Sequence, residues 1–363
     1  MSGSEAVAGA IAAFARGEIV VVIDDDDREN EGDLILAAQH ATPEQLGFIV
    51  RHTSGIVCAP VPASTARRLN LQPMVADNDA PLATAFTVSV DFRPGLTTGI
   101  SAEERCNTVR AIANPNVGSG DFVRPGHVFP LIARDGGVLM RSGHTEAAID
   151  LCRLSGCEPV GVLAELVNDD GTVMRGADVA AFAKEHGLAL VSVADLIAHR
   201  QRSERLVERI ADFAVSTVGG EARAYAFRTP FDTTQHLAVV FGDIRDGRDV
   251  PVRIHRESVA EDVFGAERPL DDLTRRFGAE ARGIVVYLRE GTVGVAPSSA
   301  RARDALTGTS SARDEEWREI GLGAQILRDL GVASVRLIAS RERRYVGVEA
   351  FGIEITATEI VED

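Results

Sequence analysis

"EIVVVIDDDDRENEGDLILAA", Glu18 to Ala38, joins two apolar runs through a stretch with seven carboxylates between Asp24 and Asp33. The flanking runs are short and rich in Val, Ile and Leu, which predicts strands over 18–23 and 34–38 with an acidic connection at their ends. If that connection is extended, alternate side chains share a face. Glu29, Glu31 and Asp33 then stand together, with Arg28 and Asn30 opposite. A row of carboxylates suits a hard divalent cation such as Mg²⁺, which takes oxygen ligands and keeps several waters. Charge runs are also a common form of solvated surface, and the pattern alone leaves both readings open.

Outward from this stretch the chain keeps alternating. Up to about Arg200, strands are predicted at 18–23, 34–38, 55–60, 86–91, 127–133, 160–167 and 188–193. Helices are predicted at 4–15, 43–50, 63–69, 101–113, 143–154, 177–186 and 193–209. Such alternation implies α/β packing. Ser101 with Glu104 three residues on reads as a capping box. The segment near 143–154 follows a glycine and offers unpaired N–H groups to an anion. A strand-rich section begins near Ile210, with strands predicted at 210–217, 222–229, 236–241, 250–256, 283–288, 333–338 and 346–354. Helices are predicted at 258–278 and 318–330. The polar, small-residue stretch 296–316 reads as a loop. We therefore expect two domains, 1–204 and 205–363, which is also the prior for 363 residues.

Composition is that of a globular protein, 45% hydrophobic and 25% charged, so a sizeable core is expected in each domain. A net charge of −16 argues against a nucleic-acid partner. No apolar run reaches eighteen residues, so no membrane association is expected, and the N-terminal stretch lacks a basic region ahead of an apolar core. Four cysteines without a paired framework (Cys58, Cys106, Cys152, Cys157) suit free thiols and a cytoplasmic location.

Four further stretches carry chemistry-bearing residues. "TTGISAEERCNTVRAIA" (97–113) sets two hydroxyls and a glycine before a helix. "DFVRPGHVFPLIA" (121–133) sets His127 after a Pro-Gly turn. "RSGHTEAAIDLCRLSG" (141–156) packs Arg141, Ser142, Gly143, His144 and Thr145 at a helix start. "AELVNDDGTVMR" (164–175) puts Glu165 on a strand followed by an Asp-Asp-Gly turn. Each is weak alone; an ordinary capped helix start also has this composition. Together they supply a phosphate cradle, a metal-competent imidazole and acid–base groups.

These stretches, with "DDDDRENEGDLILAA", "RHTSGIVCAP" and "FTVSVD", closely resemble the 3,4-dihydroxy-2-butanone-4-phosphate synthases of riboflavin biosynthesis, over roughly residues 5–200. The resemblance implies a mixed-sheet α/β lyase domain. It implies conversion of D-ribulose 5-phosphate to L-3,4-dihydroxybutan-2-one 4-phosphate and formate with Mg²⁺ or Mn²⁺. It implies Glu29 and His144 as metal ligands, and Arg28, Glu29, Asp33, the run Arg141–Thr145 and Glu165 in contact with substrate. His127 and Glu165 are implied as required for turnover, and a homodimer with sites near the subunit interface is implied as the assembly. Asp24 to Asp27 precede the matched ligands and are left unresolved between a role near the metal and solvation. Cys58 reads as a small buried thiol, with substrate contact the alternative.

The later part resembles GTP cyclohydrolase II through "VPVRIHRESVAEDVFGAER", "GIVVYLREG", "IGLGAQILRDLGVASVRLIAS" and "VGVEAFGIEI", implying a strand-rich α+β domain. That family holds zinc with three cysteines. Here Ser258, Pro269 and Asp271 occupy those positions, and no cysteine follows Cys157. Without thiolates the tetrahedral site cannot assemble, so no zinc and no cyclohydrolase activity are expected. The stretch Arg289–Gly294 also departs from the family pattern. The expected role of this domain is scaffold or regulator. The alternatives are a bifunctional enzyme that also hydrolyses GTP, and a nucleotide sensor in which Arg253, Arg256 and Arg268 meet phosphates, surface arginine being the other reading of those three.

Overall fold

A computed structural model describes residues 3–25, 28–231, 234–265, 268, 270–289, 321–339 and 352–361. The chain forms two compact units, Met1–His199 and Arg200–Asp363. The first is built on a seven-stranded mixed sheet. Its strands are β1 (Val20–Ile23), β2 (Gly32–Ala37), β3 (Cys58–Val61), β4 (Val90–Phe92), β5 (Phe122–Ile132), β6 (Gly161–Glu165) and β7 (Ala189–Ser192), in the order β4-β5-β3-β6-β2-β1-β7. β1 pairs antiparallel with β2, Ile23 opposite Gly32, and parallel with β7. A valine-rich strand buried on both faces is what a central sheet position demands.

Alternation along the strands divides the core. Val21, Leu34, Leu36, Ala59, Val162 and Ala164 join one buried cluster with residues of α2 (Pro43–His52), α4 (Ala102–Ala113) and α6 (Ala177–Glu185). The opposite face, with Ile35 and Leu163, is covered by α1 (Gly3–Ala15) and α5 (His144–Leu154), the latter packing on β1, β2, β3 and β6. Gly161 permits that approach, since a Cβ there would lie 2.9 Å from Ala148 Cβ on α5. The close fit sets the first turn of α5 at the ends of β1 and β2. α4 starts at Ser101, whose hydroxyl accepts from Glu104 N–H at 3.1 Å. The Glu104 carboxylate turns to the Thr97 N–H and hydroxyl and to the Ser101 hydroxyl, so the expected reciprocal bond to the cap backbone is replaced by a tie to the preceding loop.

The second unit has its own seven-stranded sheet. Its strands are β8 (Glu208–Thr217), β9 (Gly220–Arg228), β10 (Gln235–Gly242), β11 (Val250–Arg256), β12 (Arg282–Leu288), β13 (Ser334–Ala339) and β14 (Glu354–Ile360), in the order β14-β13-β11-β12-β10-β9-β8. Phe227, Val252, Ile284, Val286 and Leu337 are buried along it. The single helix expected at 258–278 is two, α8 (Val259–Phe264) and α9 (Asp271–Glu280); the sequence places Gly265 and Pro269 between them, and neither continues a helix well. The helix expected at 193–209 ends at Ser203 because β8 begins at Glu208. The 296–316 loop, the strand residues 346–351, the start of the 318–330 helix and Pro269 lie outside the described residues.

Candidate active site

The acidic connection does not run extended. Residues 28–29 form a turn and Asn30 takes a left-handed φ of 54°, a conformation that Asn tolerates better than most residues. The expected row of Glu29, Glu31 and Asp33 is therefore broken. Glu31 turns away to Arg175, 2.6 Å from its Nη2, and Asp24 takes the inner place. Asp24 Oδ1 accepts the Glu31 N–H at 2.9 Å and Oδ2 accepts from Arg28 Nη1 at 2.5 Å, while Arg28 also pairs with Glu29. Asp26 and Asp27 lie outside the described residues.

His144 opens α5 beneath this loop and is buried. The Val22 carbonyl accepts from its ring, and Nε2 is buried without a hydrogen-bond partner. A backbone acceptor on one nitrogen leaves the lone pair on the other, the arrangement of a metal-binding imidazole. Ligand atoms of Asp24, Glu29 and His144 all lie within 4.8 Å of one another. Asp33 Oδ1 lies 3.8 Å from His144 Nδ1, beyond hydrogen-bond distance, and is also buried without a partner.

The electrostatics point the same way. Burial, then the charges of Glu165, Glu29 and Asp24, holds the Asp33 carboxyl well above its ordinary range. Glu29 is raised by burial despite Arg28 beside it. Burial lowers His144 to about 4, with Asp24 opposing. Glu165 is raised by loss of solvent and then by Glu31, and a hydrogen bond from Ser54 opposes this. Carboxylates are thus crowded around a neutral imidazole, with Arg28 the positive charge placed among them, and a divalent cation fits that donor set.

Register places the other residues. Asp33 is opposite Glu165, and Cys58 is opposite both Leu163 on β6 and Phe129 on β5. Paired residues and alternate residues share a face, so Asp33, Glu165, Cys58, Phe129 and His127 lie on one side of the sheet. Cys58 is buried, and its thiol is pushed up by burial and then by Glu165 and Asp33. His127, however, is two strands from Glu165, about 10 Å across the sheet. Within one chain the structure gathers Arg28, Glu29, Asp33, His144 and Glu165 and leaves His127 apart. The Pro-Gly expected as a turn before His127 is inside β5. At Gly126 a Cβ would lie 2.1 Å from the Val90 carbonyl carbon, so β4 presses directly on that backbone.

At the start of α5, Gly143 is the N-cap without a side-chain cap bond, and Ser142 and Thr145 are buried beside it. Arg141 is committed to protein partners: Nη1 donates to Glu146 Oε2 at 2.7 Å, and Nη2 donates to Thr84 Oγ1 at 3.2 Å and Leu82 O at 3.3 Å. Sequence reasoning missed two acids. Asp24 sat unresolved in the acidic run, and its signal was the i,i+4 spacing to Arg28. Asp91 closed the predicted 86–91 strand and carried no signal. It pairs with His127, with Oδ2 2.7 Å from Nδ1 and Oδ1 accepting the His127 N–H at 2.8 Å.

A family model of 3,4-dihydroxy-2-butanone 4-phosphate synthase matches residues 8–199, and one of GTP cyclohydrolase II matches 208–360. The chain belongs to the 3,4-dihydroxy-2-butanone 4-phosphate synthase family. It is an enzyme of that class, and its second unit falls in the GTP cyclohydrolase II family. A relative in Salinispora arenicola, "Riboflavin biosynthesis protein RibBA", is 46% identical over 95% of this chain and 86% of its own. Among solved structures, RibBX of A. baumannii, described as a two domain 3,4-dihydroxy-2-butanone 4-phosphate synthase, superposes with a TM-score of 0.82. It is 36% identical, covering 98% of this chain and 99% of that one. A synthase solved in complex with two magnesium ions is 45% identical over 54% of this chain and 97% of its own, with a TM-score of 0.53.

In the second unit, two of the three positions at which the resemblance implies family cysteines are described. Ser258 precedes α8, and its N–H donates to Asp262 Oδ2 at 2.9 Å; Asp271 opens α9. Asp262 also accepts from the Tyr287 hydroxyl at 2.5 Å and lies 2.9 Å from His255 Nε2. Arg253 is buried, which removes it from the expected surface arginines; Arg268 is exposed.

Proposed function

We propose that this synthase takes D-ribulose 5-phosphate to L-3,4-dihydroxybutan-2-one 4-phosphate and formate, in riboflavin biosynthesis, at the ends of β1, β2 and β6. The observation that carries this reading is the meeting of Asp24, Glu29 and His144 ligand atoms within 4.8 Å, with His144 Nε2 buried and unpartnered. These three would hold Mg²⁺ or Mn²⁺, which supplies Lewis acidity to sugar oxygens. The open first turn of α5, with Ser142, Gly143, Thr145 and the remaining N–H groups of Arg141, takes the phosphate. Enolisation removes a proton from the carbon beside the ketone. Asp33 and Glu165, opposite one another and both with raised proton affinity, are placed to take up and return protons, and Arg28 anchors the loop that carries Glu29.

His127 joins this site from a second copy. Its side chain is 40% exposed, and Ile100, beside Gly99 against the ring, is itself exposed, as is Ile56. A homodimer is therefore part of the reading, and its free cysteines support a cytoplasmic location. Among the described residues no helix is long and apolar enough to cross a membrane. Formate release from ribulose 5-phosphate, with Mg²⁺ and with chelator, tests the function in wild type and His144→Ala; an unchanged rate in the variant overturns the ligand assignment.

For the second unit we propose a scaffold or regulatory role without GTP hydrolysis. Support comes from Ser258 and Asp271 in place of thiols, and from an Asp262 carboxylate that ties α8 to β11 and β12 by hydrogen bonds. The family match over 208–360 favours a second reading, a bifunctional enzyme. Zinc analysis and formate release from GTP separate the two. Stoichiometric zinc with GTP turnover establishes the second, and a GTP-dependent change in synthase rate without turnover marks a nucleotide sensor.

A further inference from the structure

We propose that Asp91 is a positioning residue that sets the tautomer of His127, keeping its proton on Nδ1 so that Nε2 can accept one during turnover. This rests on the reading of His127 as a group needed for the reaction. Asp91 is 3% exposed on β4, and each carboxylate oxygen has its own task. Oδ1 accepts the His127 backbone N–H at 2.8 Å, and Oδ2 lies 2.7 Å from Nδ1. An ionised carboxylate can only accept, so the nitrogen facing it is the donor, and the lone pair is left on Nε2 at the exposed side of the ring.

The surroundings are built for this pair. Gly99, at a φ of +86°, lies against it; a Cβ there would fall 2.1 Å from Asp91 Oδ2 and 2.6 Å from His127 Nδ1. Only a residue without a side chain lets the 97–100 loop close over the bond. Arg105, buried on α4, is a positive charge acting on Asp91, and it is tied by Nη1 to the Gly55 carbonyl at 3.1 Å. The strand is also fastened independently on both sides. Ser89 Oγ accepts the Gly126 N–H at 3.1 Å, and Thr108 Oγ1 accepts the Phe92 N–H at 3.0 Å. The fold holds β4 in place at these flanks, so the bond to the ring is a further constraint. When Nε2 takes a proton from a substrate carbon or hydroxyl, the imidazolium formed keeps its Nδ1–H on Asp91, and the carboxylate offsets the new charge until the proton returns.

Asp91→Asn tests this with almost no change of shape. The His127 backbone N–H requires an acceptor, so the amide oxygen occupies the Oδ1 position and the NH₂ faces the ring. Nδ1 must then accept, and the proton moves to Nε2. In ¹⁵N-histidine-labelled full-length protein above the imidazole titration, the His127 resonances, assigned with His127→Asn, are expected to show a protonated Nδ1 in wild type and a protonated Nε2 in Asp91→Asn. Formate release should fall about 10²-fold or more in kcat, with KM within about threefold. Thr108→Val, which loosens the same strand without touching the pair, should keep both the wild-type tautomer and most of the rate. A protonated Nε2 in wild type overturns the proposal even if Asp91→Asn does not fold. So does an inverted tautomer with an unchanged kcat, or a loss in Thr108→Val equal to that in Asp91→Asn. If His127→Asn itself keeps the full rate, the role of His127 falls; if it is inactive while Asp91→Asn is not, only the positioning role falls.

Discussion

Replacing Asp24 by Asn should weaken Mg²⁺ binding far more than any other single change in the acidic stretch outside Glu29. The Asp24 side chain is fully buried and its ligand atom lies within 4.8 Å of those of Glu29 and His144. An ion held between ligand atoms this close lies about 3 Å from each, where a unit charge facing a divalent ion is worth about 11 kcal/mol at an effective dielectric near 20 and about 3 kcal/mol in water. The amide oxygen still ligates, so the expected loss is about 3 to 4 kcal/mol, or roughly 10²–10³-fold in Kd. The metal-free protein should barely notice. Loss of the charge-assisted bond from Arg28 is offset by relief of Glu29 and Asp33, whose proton affinities Asp24 helps to raise. Calorimetric titration of the full chain with Mg²⁺ gives the first quantity. Melting in chelator gives the second, expected to stay within about 3 °C, the shift that roughly 1 kcal/mol produces in a domain of this size. Glu31→Gln is the control, because its carboxylate is spent on Arg175. A Kd for Asp24→Asn within threefold of wild type refutes the reasoning. So does a Glu31→Gln variant as weak as Asp24→Asn, because it would put the ion on the row that an extended loop predicts.

In chelator, the imidazole of His144 should also govern acid stability. Burial sets its folded value near 4, below the ordinary 6.5, so the unfolded chain takes the proton first. Its contribution is complete above about pH 6.5 and is lost as pH falls toward 4, by about 3 kcal/mol; amide exchange of α5 should show this slope in wild type and a flatter one in His144→Gln. Thiol alkylation of native protein should label Cys157 first. Cys58, Cys106 and Cys152 are buried, with thiols pushed up by burial, and should react only on unfolding; early labelling of Cys58 would show a more open pocket.

Much of the architecture could be read from pattern. The valine run at 20–23 and the aliphatic run at 34–37 are strands because their composition suits a sheet buried on both faces, and the helix at 144–154 follows from its glycine entry and apolar face. The order of strands could not be read, since it depends on pairings such as Cys58 with Phe129 that join distant segments. The site shows the same division. Glu29 and His144 were named from motifs, but alternation misassigned Glu31, because one left-handed residue, Asn30, reverses the side on which the next carboxylate emerges. Asp91 is 36 positions from its partner, and no local spacing links the two.

The pairing of Ile23 with Gly32 makes residues 24–31 a hairpin connection of fixed length. Ordinary hairpin tips accept insertions cheaply, since each doubling of a flexible loop costs only about 0.6 kcal/mol. This one contributes two carboxylates from opposite ends of its span to a single point. One extra residue would leave the sheet intact and part Asp24 from Glu29, giving a well-folded protein with no grip on its ion. Among descendants of such a chain, length polymorphism in this hairpin would be a more telling mark of lost catalysis than substitution at any one of its positions.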